Sequence, residues 1–558
     1  MSHIAVNKLL QILKPHCQSL PHDVRTLLQT PRHTEVKVCG SGEYVHFGLE
    51  KGINHALLNN SIADGEEIYV QINVDGLPVF KSSNRQFWPI LCLIKQPYLT
   101  DPFVVGLFSG TTKPPVGFLD DLVYELKMLM TNGMSVDMNH VSIKLHSFVC
   151  DAPARAFLKC IKLHSGYSSC EKCDQHGEWL GKVIFSCTEG SVRTDELFRN
   201  RTDDAHHLPL LESPLLALDM DMVTQFPLDP MHLLHLGVMR RLLLSWLRGP
   251  LTVRVASRVV SELSASLLTL STHIPHDFCR RPRSLAEIDQ WKATEFRLFL
   301  LYCGPVVLRT ALKEQLYKHF LLLFVASTIL SSKRLSHQFC QYAGDLLKSF
   351  VQGDAELYGK TELVYNMHGL LHLASDAARY GSLDNFSSYP FENKLKEVKR
   401  LVRKPHHALQ QVARRLAEAQ QCFSGHSQSA VQQTKFLHEH HVGPVPDGFE
   451  KAKQFSKLLV NGMQLSVGQR DSCVQLLDKS VVVVRNILQV DTTAVILCSK
   501  FETVRDYFVD PLPSSCINIF RVSQLDRSYQ CAHVDEIAHK CVLLPDQCDF
   551  VVFPLLHT

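Results

Sequence analysis

The spacing of hydrophobic and polar residues changes character along this 558-residue chain, and each change predicts a different kind of element. Ala5 to Leu13 reads as a short helix, followed by a loop and a small β unit ending near Phe47. Ile68-Tyr69-Val70-Gln71-Ile72-Asn73-Val74 has strand composition and partial alternation, and Asp75-Gly76 behind it is a hairpin turn signal. Leu77 to Lys81 and Phe87 to Lys95 predict two more strands. Val116 to Met130 then changes to a helical period, with Phe118, Leu119, Leu122, Leu126 and Leu129 on one side. Val141 to Val149 returns to strand spacing and ends at Cys150-Asp151.

The resulting order is β-β-β-α-β, with one aspartate closing the first strand and another closing the fourth. That order is the opening of an RNase H-like α/β fold. From about His206 to Leu373 the chain becomes leucine-rich and mainly helical, as in Met231 to Leu247, Leu251 to Leu270, Ala286 to Tyr302 and Gln315 to Leu330. Glu392 to Gln420 reads as a further long helix, kinked or restarted at Pro405. From about Leu465 onward the pattern is β-rich, with Ser480 to Arg485, Ala494 to Leu497 and Ile517 to Val522 as strands of a small barrel or sandwich.

The expected organisation is therefore an N-terminal segment (1–60), the first part of an α/β core (61–200) and a large helical insertion (201–373). The last part of the core (374–425), a linker (426–464) and a β-rich accessory domain (465–558) follow.

Composition narrows the class. With 45% hydrophobic and 20% charged residues the chain is ordinary globular protein, long enough for several cores. A net charge of +3 announces no nucleic-acid binder, so any basic footprint is local. The 18 cysteines are scattered, and only Cys170 and Cys173 form a C-x-x-C pair. Met1 to Leu20 does not read as a signal peptide, and Leu316 to Leu330 is too short and too interrupted for a membrane span. A reducing compartment, cytosol or nucleus, is expected.

Three constellations could carry chemistry. Cys170-Glu171-Lys172-Cys173 can grip a metal, and His368 and His372 at helical i, i+4 spacing could complete a tetrahedral Cys₂His₂ site. The gap between the pairs is too long for a zinc finger, so such a metal would staple the insertion to the core. The competing reading is an inert loop and two partly buried helix histidines.

Asp75 and Asp151, on strands that would be neighbours, could share two divalent cations with a third carboxylate, Glu392, at the start of a helix. Taken singly, an aspartate after a strand caps a turn and a glutamate in a first turn answers the helix dipole. The helix after Glu392 carries Lys394, Lys396, Lys399, Arg400, Arg403 and Lys404 against Glu397 alone. That bias favours phosphate contacts over an ordinary solvated face, which would mix its signs.

Together these residues resemble a known family. The motifs are Asn73-Val74-Asp75-Gly76-Leu77-Pro78, Cys150-Asp151-Ala152-Pro153-Ala154, Cys170-x-x-Cys173 and Arg193-Thr194-Asp195-Glu196-x-Phe198-Arg199. They continue through Phe226-Pro227-Leu228-Asp229-Pro230-Met231-His232-Leu233, His368-x-x-x-His372, and Phe391-Glu392-Asn393 leading to Leu401-Val402-Arg403-Lys404-Pro405. The chain resembles the transposase of CACTA (En/Spm-type) elements, in the CACTA–Mirage–Chapaev group, which is related to Transib transposases and the V(D)J recombinase. The likeness runs from roughly Leu9 through Gln411.

The resemblance implies a DDE-type DNA transposase that cleaves and joins DNA strands. It implies Asp75, Asp151 and Glu392 as catalytic ligands of Mg²⁺ or Mn²⁺. It implies Cys170, Cys173, His368 and His372 as ligands of a structural Zn²⁺. It further implies DNA (transposon ends and target) as partner, a homodimer or higher assembly, and a nuclear location, with neither membrane nor small-molecule substrate. No zinc finger, AT-hook or basic helix-turn-helix precedes the core, so a truncated copy or a host gene derived from one is also expected. The alternative function is a domesticated, transposase-derived DNA-binding protein without transposition activity. A simple metal-dependent nuclease and a protein-interaction scaffold are more distant alternatives. The segment from Arg193 to Arg199 could touch DNA or cap the turn after the cysteine pair; Asp229 has no assigned role in the chemistry, and the apolar helix after it packs the insertion, with His232 or His235 as metal ligands the less favoured reading.

Overall fold

The computed structural model describes residues 3–58, 60–80, 83–423, 434–460, 462–491 and 493–556. They divide into two units, each interrupted in sequence. The first comprises Met1–His176, Gly190–Asp229 and Phe386–Ser429, and the second comprises Gly177–Glu189, Pro230–Asn385 and Ala430–Thr558.

The first unit is built on an eight-stranded mixed sheet. Its strands are β1 (Lys37–Cys39), β2 (Gly42–His46), β3 (Glu67–Val74), β4 (Leu77–Pro78), β5 (Gln86–Gln96), β6 (Phe103–Gly110), β7 (Met134–Val136) and β8 (Asn139–Phe148). The order is β1-β2-β6-β5-β3-β8-β7, with β4 attached to β5. Every pairing is antiparallel except β3 with β8, which run parallel. A parallel neighbour needs a crossover, and the helix Asp120–Asn132 forms part of it. Ile68, Val70, Ile72 and Val74, on one face of β3, share a core with Leu119, Leu122 and Leu126 of that crossover.

The third full strand is not where the alternation puts it. Leu77 begins only the two-residue β4, and β6, the strand beside β5, is Phe103–Gly110. Lys81, the expected end of the Leu77 strand, lies outside the described residues. Glycines disguise β6 in the sequence, yet packing requires Gly106, because a Cβ there would collide with the Tyr44 hydroxyl on β2.

The long helix expected from Glu392 is two helices, Tyr389–Arg400 and Ala408–Phe423. The Gln411 side chain organises the break around Pro405: its Oε1 accepts from the Arg403 and Lys404 amides, both at 3.1 Å.

The second unit has a helical part and a β part. Its long helices are Glu314–Ser331, Lys333–Tyr358 and Tyr365–Tyr380, and Met231–Met239 is wound as a π-helix. The helix Glu314–Ser331 is buried nearly all round, which accounts for its uniform leucine and phenylalanine content. Among the described residues no helix is long and apolar enough to cross a membrane.

The β part is a ten-stranded antiparallel sheet. Six of its strands close into a ring: Val481–Val490, Cys473–Leu476, Ile537–Asp546, Asp549–Pro554, Phe520–Leu525 and Thr493–Asp506, the last pairing back to the first. Alternation decides the layers. Val481 and Val483 belong with Phe501, Val522 and Val552 in one core, while Val482 and Val484 belong with Leu458, Ile487 and Ile496 in another. Lys435–His440 and Lys453–Val460 pair at the margin of this sheet, so strands occupy part of the segment expected as a linker. Residues 426–433 of that segment lie outside the described residues.

Candidate functional site

The parallel pairing of β3 and β8 fixes where their aspartates fall. Ile72 stands beside Phe148, and the Val149 amide donates to the Ile72 carbonyl at 2.8 Å. Asp75 lies three residues beyond Ile72 and Asp151 three beyond Phe148, so both leave the same end of adjacent strands. Two bonds clamp this end: Asn73 Nδ2 donates to the Val149 carbonyl at 2.7 Å, and the Val74 amide donates to Cys150 Sγ at 3.4 Å. The buried Cys150 thiol reports both charges. Burial raises its pKa first, and the carboxylates of Asp151 and Asp75 each push it further up.

Each aspartate also has a local duty. Asp75 Oδ1 accepts from the Gly76 amide at 2.6 Å, closing the turn after β3. Asp151 is the N-cap of the helix Ala152–Lys159, accepting from the Ala154 amide at 2.7 Å. The structural duty sets the side-chain direction and coexists with any metal role.

Glu392 occupies the first turn of Tyr389–Arg400, where Phe391, Leu395 and Val398 are the buried face. Lys399 Nζ of this helix donates to the Pro78 carbonyl at 2.5 Å, on the hairpin that follows Asp75. Lys396, Lys399, Arg400, Arg403 and Lys404 are exposed, while Lys394 is half-buried and paired with Glu397 at 3.0 Å. With Lys399 on Pro78 and Lys394 on Glu397, the exposed cations of the run that those two bonds leave over are Lys396, Arg400, Arg403 and Lys404.

The cysteine pair sits in a buried knuckle. Cys173 and Cys170 sulfurs are 3.5 Å apart. Arg193 Nε donates to the carbonyls of Cys170 (3.0 Å) and Cys173 (2.9 Å), and Arg193 Nη2 pairs with Asp203 at 2.6 Å. The Cys173 thiol is held below its ordinary pKa, first by the hydrogen bond with Cys170, with burial opposing and the Gln175 amide and Arg193 assisting. Arg193 thus caps the cysteine turn. Arg199 is half-buried and bonds Asp195 and the carbonyls of Leu216, Leu218 and Met220.

His368 and His372 lie one turn apart on the helix Tyr365–Tyr380, with Nε2 atoms 3.2 Å apart, and the His368 ring stacks on Phe185 at 4.9 Å. Cys170, Cys173, His368 and His372 are side chains that could hold a metal ion. Two sulfurs and two imidazole nitrogens are a donor set that suits a tetrahedral ion.

Among the described residues no other group of three or more such side chains is found, so Asp75, Asp151 and Glu392 form none, and neither do His232 and His235.

Sequence reasoning missed the charge network beneath the knuckle. Glu171 is buried and pairs with Arg155 at 2.8 Å and Lys159 at 3.2 Å. Its one signal was a charged pair inside a C-x-x-C turn, where solvated charges are the usual expectation.

A family model described as a domain of unknown function (DUF8592) matches residues 439–555, which lie in the β part of the second unit. No curated protein matches the chain.

Proposed function

We propose that the chain is a DDE-type DNA transposase of the CACTA-like group, cleaving DNA strands and transferring them to a target. The observation that carries this reading is the equal offset of Asp75 and Asp151 past paired positions on adjacent parallel strands, with Glu392 on a helix bonded to the hairpin beyond Asp75. The strand order supports an RNase H-like core: three antiparallel strands (β3, β5, β6), a crossover helix, then a parallel strand (β8) beside the first.

In this reading Asp75, Asp151 and Glu392 hold a pair of Mg²⁺ or Mn²⁺ ions. When bound, such a pair activates a water or a 3′-hydroxyl and neutralises the leaving oxygen of an in-line phosphoryl displacement. The chain's own groups do the rest. The cap at Ala154 and the turn at Gly76 hold the two aspartates in fixed directions. Lys396, Arg400, Arg403 and Lys404 bind backbone phosphates, which positions DNA without reading its bases. Zn²⁺ at the Cys/His quartet is structural, and the protein acts in the nucleus as a dimer or higher assembly on two DNA ends.

The test is a Mg²⁺- or Mn²⁺-dependent nicking and strand-transfer assay on the full chain, using DNA with candidate terminal inverted repeats from the flanks of its gene. Asp151→Asn and Glu392→Gln run beside it. Joined 3′ ends that vanish in both variants support the reading. Cleavage that survives both overturns the site, and DNA binding without cleavage favours the domesticated alternative.

A further inference from the structure

Asp229 lies in the Phe226-Pro227-Leu228-Asp229-Pro230 motif and is 1% exposed. A carboxylate so deeply buried is costly unless it accepts hydrogen bonds, so its partners say what it is for. Its Oδ1 accepts the Ser388 amide proton at 2.8 Å, across 159 positions of sequence and inside the first unit. Ser388 is the residue from which the helix Tyr389–Arg400 starts, and the Glu392 amide donates to the Ser388 carbonyl at 2.9 Å.

That helix has no cap of its own. The Ser388 side chain makes no capping bond, its Oγ is buried without a partner, and Pro390 contributes no amide proton. The opening amides of a helix need an acceptor, and a negative charge is favoured there. Asp229 supplies both from a distant part of the chain.

The other end of the same segment is bound to β8. The Phe148 amide donates to the Gln225 carbonyl at 2.8 Å, and Gln225 Nε2 donates to the Leu145 carbonyl at 2.7 Å. Phe226 stacks on Phe148 with ring centroids 5.1 Å apart. Asp221 Oδ1 turns the chain into this segment, accepting from Val223 and Thr224. Pro227 stands between Phe226 and Asp229 and Pro230 follows Asp229, each fixing its own φ and restricting the residue before it. A short, stiff run of chain therefore begins on the strand that ends in Asp151 and finishes on the helix that carries Glu392.

We propose that Asp229 is a positioning residue that sets Glu392 at the Asp151 end of the sheet. This role rests on the reading of Asp75, Asp151 and Glu392 as one metal-binding site. Asp229 touches neither DNA nor metal in this role; it acts through the Ser388 amide.

The test is Mn²⁺ binding by calorimetry to the full, zinc-loaded chain, with hydrogen exchange of the amides at Phe391 and Glu392 as a second readout. Asp229→Ala removes the acceptor. Ser388→Pro removes the donor, at a φ of −73° that proline adopts. Asp229→Asn keeps an acceptor oxygen.

Each of the first two variants weakens Mn²⁺ about tenfold and speeds exchange in the first helical turn, with strand amides of β3 and β8 unchanged. The double variant loses no more than Asp229→Ala alone, because the bond that Ser388→Pro breaks is already gone there. Asp229→Asn stays within about threefold of the parent.

Mn²⁺ binding unchanged in both single variants overturns the role while the three-carboxylate site stands. Strictly additive losses overturn it too, since they deny the shared bond. If the parent binds no Mn²⁺, or if Asp151→Asn binds as the parent does, the site itself falls and Asp229 loses its positioning role with it.

Discussion

The Lys159 ammonium lies 3.2 Å from the Glu171 carboxylate with both side chains at most 2% exposed, directly beneath the cysteine knuckle. Arg155 approaches the same carboxylate at 2.8 Å, so one acid serves two buried cations. Breaking such a group leaves an uncompensated charge in the interior. Glu171→Gln is expected to destabilise the protein by about 3–5 kcal/mol. Chemical denaturation followed at several wavelengths checks this; a loss under about 1 kcal/mol means the network is solvated.

The Cys/His quartet predicts one zinc per chain, measured by elemental analysis of protein purified without added metal. Stripping it with a strong chelator should lower Tm by on the order of 10 °C, because ion binding to the folded state is folding free energy. Cys173→Ser and His368→Ala should each fall well below one zinc. Stoichiometric zinc retained in either variant would falsify the assignment.

The basic run after Glu392 predicts a measurable salt dependence. Replacing Lys396, Arg400, Arg403 and Lys404 by alanine should reduce the slope of log K against log [salt] for duplex DNA by about 0.9 for each phosphate no longer neutralised. Lys394→Ala should change it little, because Lys394 is half-buried and already paired with Glu397. Equal effects at all five positions would show that the helix face does not discriminate.

Three buried histidines and the half-buried His146 predict acid sensitivity. Burial pushes the pKa of His206 down to about 3, and those of His146, His207 and His319 down to about 4. The unfolded chain takes up these protons near pH 6.5, whereas the folded chain does so only near 3 to 4. Stability is therefore full above pH 6.5 and is lost as pH falls toward 4, at about 1.4 kcal/mol per pH unit for each such group. Denaturation midpoints from pH 7 to 4 test this, and His319→Gln should flatten the fall; a midpoint that rises on acidification contradicts it.

Much of the carboxylate neighbourhood is readable from the sequence because strand, turn and aspartate are local neighbours. Ile68–Val74 with Asp75-Gly76, and Val141–Val149 with Cys150-Asp151, carry their own composition and turn signals. The third strand does not, since Gly106 serves Tyr44 on another strand and so weakens the local pattern. The restart of the basic helix is visible at Pro405, but the Gln411 side chain that organises the break is not. Asp229 escapes for the same reason: its partner is 159 positions away, and no local period encodes a bond that long. Arg193 reads in sequence as a DNA contact or a cap, and only its two carbonyl acceptors separate these.

The first unit is assembled from three separated stretches of chain, with Phe386–Ser429 as the last. On the ribosome this ordering acts as a delay. Glu392 follows Asp151 by roughly 240 residues, which at ~5–20 residues per second is about 10–50 s of synthesis. Throughout that interval the nascent sheet carries two acids without the third. A chain that stalls anywhere inside the helical stretch thus lacks Glu392 altogether, and premature termination yields a protein without the proposed three-carboxylate site.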